Sequence, residues 1–178
     1  MALSCIVSKG RLKGCKDGVS GVMNVYFINE LPVSALTKDV DGVITAVSTS
    51  PTVYQAYKYE LRADAEFMQT INVSDQNGTT FFEQKLTIAL HHLDAVSHKE
   101  IKLLAYGSPK IIVETNDGKY FLMGEAKSCN MTAGSIASGK ALGDFNGYNL
   151  EFTAREASYA PFLNASPATI GFTVVSGI

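Results

Sequence analysis

Three histidines, His91, His92 and His98, are the side chains in this sequence best suited to hold a metal ion. Adjacent residues on a strand point to opposite faces, so His91 and His92 do not converge on one ion. No cysteine or carboxylate completes a zinc-type spacing around them. The stretch GSIASGKALGDFNG, residues 134–147, has the glycines of a phosphate loop. It lacks the GxxxxGK spacing followed by Ser or Thr, because Ala141 follows Lys140 and no helix pattern comes next. Ser135, Ser138 and Asp144, with a distant histidine, contain the residue types of a catalytic triad but no GxSxG elbow to present the serine. Glu60, Asp64 and Glu66 have the chemistry of paired carboxylates. Lys58 and Arg62 alternate with them, which is the pattern of a solvated or inter-subunit strand face. The reading is a chain with no catalytic residues, no metal and no cofactor, and not an enzyme.

Those carboxylates belong to the longest alternating run in the chain. From Tyr57 to Val73 the odd positions read Tyr, Tyr, Leu, Ala, Ala, Phe, Gln, Ile, Val, and the even positions Lys, Glu, Arg, Asp, Glu, Met, Thr, Asn. Such alternation predicts a strand with one buried and one wet face. At roughly 3.3 Å per residue it reaches on the order of 55 Å, so it must bend, cross between sheets or project as a ribbon. Asp75-Gln76-Asn77-Gly78 carries a strong turn dipeptide. After it, TFFEQKLTIALHHL resumes the alternation, with Phe82, Leu86, Ile88 and Leu90 on one face and Glu83, Lys85 and Thr87 on the other. Together these predict a long β-hairpin over about 53–92.

The one clear helix falls at about 94–106, DAVSHKEIKLLAY. Asp94 or Ser97 can cap it, Ser97 and Glu100 have capping-box spacing, and Gly107 and Pro109 end it. Residues 22–29, 43–49, 110–115, 119–124, 148–156 and 168–178 read as strands, and 3–8 as a short first one. Residues 126–147 read as strand ends and a glycine-rich connection, and 160–163 as a turn or edge. Residues 1–42 are partly irregular and include a glycine-rich basic loop, KGRLKGCKDGVSG (9–21). The sum is about eight strands and one helix. It is a mainly β chain, an antiparallel β-sandwich or open barrel with one flanking α-helix, in a single domain over 1–178.

The net charge of −2 supplies no basic footprint for wrapping nucleic acid. A charged fraction of 18%, beside 46% hydrophobic residues, fits a surface partly covered by partners and equally an efficient core. The first ten residues lack a basic start and an apolar run, so no signal peptide is expected. No stretch approaches the roughly 18 apolar residues of a membrane span. Cys5, Cys15 and Cys129 are odd in number and widely spaced, which predicts reduced thiols in a cytosol.

The order of these features resembles the phage tail tube proteins, a family related to the tubes of contractile injection systems and type VI secretion. The residues that carry the resemblance are the paired strands Tyr57–Val73 and Thr80–Leu90, the helix near 94–106, the hairpin IIVETNDGKYFLMG and the segment GDFNGYNLEFTARE. It spans about 40 to 163. It implies a virion structural protein of a tailed bacteriophage, whose copies form rings, usually hexameric, that stack into a tail tube for DNA ejection. It implies no catalysis, a place in the virion tail after assembly in the host cytoplasm, and no membrane. The implied partners are other copies, further tail and head proteins, and DNA in transient, non-specific passage. The hairpin tip Asp75, Gln76, Asn77, Gly78 is then an assembly element. Lys58, Glu60, Arg62, Asp64 and Glu66 are a candidate lumen or inter-subunit face, whose acidic members would repel DNA phosphates. Tail terminators, other head–tail proteins and capsid decoration proteins share the plan. The alternative from another class is a carbohydrate- or ligand-binding β-barrel module using Tyr54, Tyr57, Tyr59, Phe81, Tyr148 and Phe152.

Overall fold

In this computed structural model the described residues are 7, 9–62 and 65–177, and among them the chain forms twelve strands, two α-helices and one 3-10 turn. One sheet contains β1 (Val22–Ile28), β2 (Leu36–Lys38), β3 (Ile44–Val47), β4 (Gln55–Glu60), β7 (Lys110–Thr115), β8 (Tyr120–Met123), β11 (Phe162–Leu163) and β12 (Thr173–Ser176), in the order β12-β4-β1-β7-β8-β11-β3-β2. The second contains β5 (Glu66–Ser74), β6 (Thr79–His91), β9 (Asn130–Ala137) and β10 (Gly147–Glu156), in the order β5-β6-β10-β9. The second sheet is antiparallel throughout. The first is mixed, because β11 runs parallel to β3 and β12 parallel to β4. The architecture is a β-sandwich with a flanking helix, α1 (Ala95–Tyr106).

The two sheets face each other across one apolar core. Val25, Phe27, Ile111 and Val113 from the larger sheet meet Leu86, Ile88, Leu150 and Phe152 from the smaller, and α1 adds Ile101 and Leu104. The Phe27 ring lies 5.3 Å from Phe152 and 4.9 Å, edge-on, from Tyr59. A second core fills the other side of the larger sheet, with Tyr26, Ile28, Ile112 and Leu122 against Ile44, Val47, Leu163, Ile170 and Phe172. Strands β1 and β7 are therefore covered on both faces, which is why VMNVYFI and KIIVET read as apolar runs and not as alternation. The larger sheet curls around this second core, and its edge region at α2 (Pro167–Ile170) meets β3.

The Tyr57–Val73 run does not form one strand. It changes sheets between Glu60 and Glu66, so β4 ends in the larger sheet and β5 begins in the smaller. Tyr57, Tyr59, Leu61, Ala65 and Phe67 all still enter the shared core, because the crossing keeps the alternation in phase. The paired hairpin is β5–β6, residues 66–91, and not 53–92. Asp94 alone caps α1, its carboxylate accepting from the N–H groups of Val96 (2.8 Å) and Ser97 (2.9 Å). The strand expected at 168–178 starts later, because Ser166 and Pro167 open the short helix α2. Residues 3–8 lie outside the described residues, apart from the exposed Val7.

At the rim of the second core, the Glu114 carboxylate accepts from Asn24 Nδ2 (2.8 Å), the Tyr26 hydroxyl (2.7 Å) and the Tyr120 hydroxyl (3.0 Å). Burial pushes its pKa up, but the three hydrogen bonds and nearby Lys58 outweigh burial and hold it below the ordinary 4.5. A lowered carboxylate pKa gives stability that is complete above the ordinary value and is lost as pH falls through the folded value. Glu114→Gln should therefore cost about 1–2 kcal/mol at neutral pH, a figure discounted for partial exposure. The deficit should shrink as pH falls below 4.5, which thermal unfolding across pH will read.

Gly147 opens β10 where it pairs with β6, and a Cβ there would stand 2.0 Å from the Leu90 carbonyl oxygen. Neither backbone can retreat without breaking the ladder. Gly147→Ala should destabilise the protein by about 2–4 kcal/mol, read as a lower denaturant midpoint at unchanged m-value.

Candidate functional site: the four-stranded sheet and its projecting hairpin

The β5–β6 ribbon outruns the sandwich, and two glutamines mark where the sandwich ends. Gln69 and Gln84 pair across the two strands on the inner face. Gln69 accepts from the Ala160 N–H at 2.8 Å, and the buried Gln84 accepts from the Gly124 N–H at 3.0 Å. They seal the core rim with hydrogen bonds to loop backbone, which accounts for the one polar residue in the apolar series of β5. Beyond them Phe82 still meets Tyr159, edge-on at 6.3 Å. Ile71 and Val73 meet no opposing layer and are 62% and 65% exposed. On the opposite face of the ribbon Met68 and Phe81 are exposed as well. The tip Asp75–Gly78 closes the ribbon with Gly78 at φ +59°. The expected hairpin tip is thus a projecting element with bare apolar residues on both sides.

The outer face of the sheet is mostly polar, and both of its cations are paired. Register places Glu66, Thr87 and Glu151 in one row, Met68, Lys85 and Thr153 in the next, and Thr70, Glu83 and Arg155 in a third. Lys85 pairs with Glu151 at 2.9 Å and Arg155 with Glu83 at 2.9 Å. Lys85 lowers the Glu151 pKa through its hydrogen bond, and the Thr132 hydroxyl adds a second at 3.1 Å. Three carboxylates, Glu66, Glu83 and Glu151, stand against two cations, Lys85 and Arg155.

Both edges of this sheet are long and open. Among the described residues strand β5 pairs only with β6, and β9 only with β10. They present nine and eight residues, with Glu66 as the one charge and no proline between them. The larger sheet ends on β12 and β2, which are four and three residues long, and β2 carries Lys38. Short or charged edges resist pairing with another chain, whereas long uncharged ones invite it.

The acidic face expected along one strand is divided. Lys58 and Glu60 lie on β4, on the side of the larger sheet that faces the second core, and form an ion pair at 2.7 Å. Glu66 lies on the outer face of the smaller sheet, Arg62 is in the crossing, and Asp64 lies outside the described residues. The change of sheet is the physical reason: one alternation turned through two facing sheets sends its polar positions to opposite sides of the sandwich. The residues that do share a wet face, Glu83, Lys85, Glu151 and Arg155, were visible as alternating positions on β6 and β10.

The described histidines do not converge on one another. His91 packs on Phe145 at 5.4 Å and His98 near Tyr148 at 6.2 Å. Among the described residues no group of three or more His, Cys, Asp or Glu is placed to hold a metal ion. Residues 134–137 belong to β9 and Gly147 opens β10, so the glycine-rich connection is 138–146. Asp144 closes the remainder by accepting from the Lys140 and Ala141 N–H groups, both at 2.8 Å. Tyr148 and Phe152 are buried in the core, so the aromatic set considered for a sugar platform does not line one surface. Cys15 is exposed and Cys129 buried, and both are free. No helix among the described residues is long and apolar enough to cross a membrane. The chain matches no protein-family model, no curated protein and no solved structure.

Exposed apolar residues on the ribbon contribute nothing to the core. Ile71→Ser combined with Val73→Ser should change folding stability by less than about 1 kcal/mol while lowering retention on a hydrophobic column. A loss of about 3 kcal/mol would show that the ribbon is packed.

Proposed function

We propose that this chain is a virion structural protein of a tailed bacteriophage, the subunit that builds the tail tube by stacking rings around a passage for DNA. The observation that carries the reading is the four-stranded sheet with two long open edges, beside a larger sheet whose edges are short. In a ring, β9 of one copy meets β5 of the next. The two patches differ, so the contact is heterologous and closes by rotation. Main-chain hydrogen bonds then continue the sheet from copy to copy, without needing particular side chains. The outer face of the sheet becomes the wall of the passage. Its cations are already paired with carboxylates, so DNA phosphates meet no free basic patch and slide without sticking. The apolar flanks of the projecting ribbon reach the adjoining ring. Hexameric rings, other tail and head proteins as neighbours, and a place in the virion tail follow from the resemblance. On this reading the protein performs no catalysis and needs no cofactor. A tail terminator, another head–tail protein or a capsid decoration protein is the nearest variant of the same reading.

The open groove beside α1, partly lined by Tyr57 and Tyr59, favours a second reading, a ligand-binding β-sandwich. Saturable binding of a glycan by a protein that stays monomeric would select it.

Two changes test the assembly. Deleting Asp75–Gly78 should weaken stacking, and Ala133→Lys with Ser135→Lys on the β9 edge should block ring closure. Both should leave the monomer folded by circular dichroism. Sedimentation velocity should show wild-type assemblies replaced by single rings in the first case and by monomers in the second. Unaltered assembly in both would contradict the proposal.

A further inference from the structure

Residues 9–20 form no strand or helix, and all are exposed, including Leu12 at 94%. Lys9, Arg11, Lys13 and Lys16 against Asp17 give this arm a charge of +3, four minus one. In an extended chain Lys9, Arg11 and Lys13 fall on one side, and Gly10, Leu12 and Gly14 on the other. The arm joins the body at Gly21, where Asn116 donates to the Ser20 carbonyl at 2.9 Å. Further out, Lys9 pairs with Asp41 at 3.5 Å, with both side chains exposed. A pair of that kind is worth about 0–1 kcal/mol and does not anchor the arm.

The fold holds a complementary groove. It lies between α1 and the β4–β12 edge and encloses about 1230 Å³, more than the roughly 300–1,000 Å³ of a small-ligand pocket. Its α1 wall carries Val96, Glu100 and Leu103, at i, i+4 and i+7 on one side of the helix. Ile101 and Leu104 already face the core, so Val96 and Leu103, 55% and 54% exposed, form a second apolar stripe that no described residue covers. Lys99 and Lys102 lie off this wall. Of the lining charges, Lys58 and Glu60 point to the other side of the sheet and pair with each other, which leaves Glu30, Asp94 and Glu100 against Arg62, a net charge of −2, three against one. The groove runs along β4 from Asn29 and Glu30, past the end of β1, to Glu60 and Arg62, beside its start. The arm lies outside its own groove, with residues 9–20 all exposed and Lys9 beside Asp41, which leaves the groove open to the arm of another copy.

We propose that residues 9–13 of one copy lie extended in this groove of a neighbouring copy, with Lys9, Arg11 and Lys13 toward its carboxylates and Leu12 against the Val96–Leu103 stripe. The inference rests on the self-assembly reading above and assigns it a second, electrostatic contact besides the sheet edges.

Two full-length variants test it. One carries Lys9→Glu, Arg11→Glu and Lys13→Glu; the other carries Glu30→Lys and Glu100→Lys. All five residues are exposed, so both variants should keep the wild-type circular dichroism spectrum and melting temperature. In sedimentation velocity each alone should need at least about tenfold more protein to assemble, near 1.4 kcal/mol per contact. An equimolar mixture should assemble as the wild type does, because reversed arms meet reversed grooves. Wild-type assembly by the arm variant alone would overturn the proposal and leave the self-assembly reading intact. Failure of the mixture, with recovery when all five changes share one chain, would place the arm in its own groove and also overturn it. A wild-type chain that never assembles would remove the reading and the inference together.

Discussion

One constraint organises this molecule: a single alternating run has to furnish inward-facing side chains to two sheets that face each other. Tyr57 and Tyr59 reach the core from one sheet and Phe67 from the other, and the crossing between Glu60 and Glu66 preserves their phase. A slip of one residue in that crossing would turn every inward side chain of β5 out to solvent. The core that receives them is a close contact of aromatic and branched residues, with Phe27, Phe152 and Tyr59 at its centre. From that packing follow the placement of β5 at a sheet edge, the seal made by Gln69 and Gln84, and the exposure of everything beyond it.

The two sheets are treated differently at their edges. The larger sheet curls upon its own second core and finishes in short strands, as sheets do when they guard against unwanted pairing. The smaller sheet stays open and long at both sides. The same contrast appears in the charges. Lys58, Glu60 and Glu114 on the larger sheet are tied into local hydrogen bonds and ion pairs, and on the outer face of the smaller sheet Lys85 pairs with Glu151 of the neighbouring row and Arg155 with Glu83 of its own.

Much of this was legible in the residues. Helix α1, the hairpin β7–β8, the turn at Asn77-Gly78 and the mainly β class follow from period and turn chemistry. The change of sheets between Glu60 and Glu66 was not legible, because the residues there keep the alternation and include neither Gly nor Pro. Strand β9 was legible only as strand ends, because Ala133, Gly134 and Ser135 have little β preference and pair because β10 lies beside them. The short helix α2 was too brief to show a period. The candidate wet face was misplaced for one reason: alternation reports which residues share a side of a strand but not which sheet the strand joins. Gln69 was visible as the single polar intruder in an apolar series, and its role at the core rim appears only once Ala160 is placed against it.

The central claim is that the open four-stranded sheet closes into rings. Negative-stain electron microscopy of the purified full-length protein, over a range of concentration and at low and high salt, tests it most directly. The account predicts rings of uniform size with a central hole, and stacks of them at high concentration. A protein that remains monomeric throughout that range, or that forms only irregular aggregates without a hole, would contradict it.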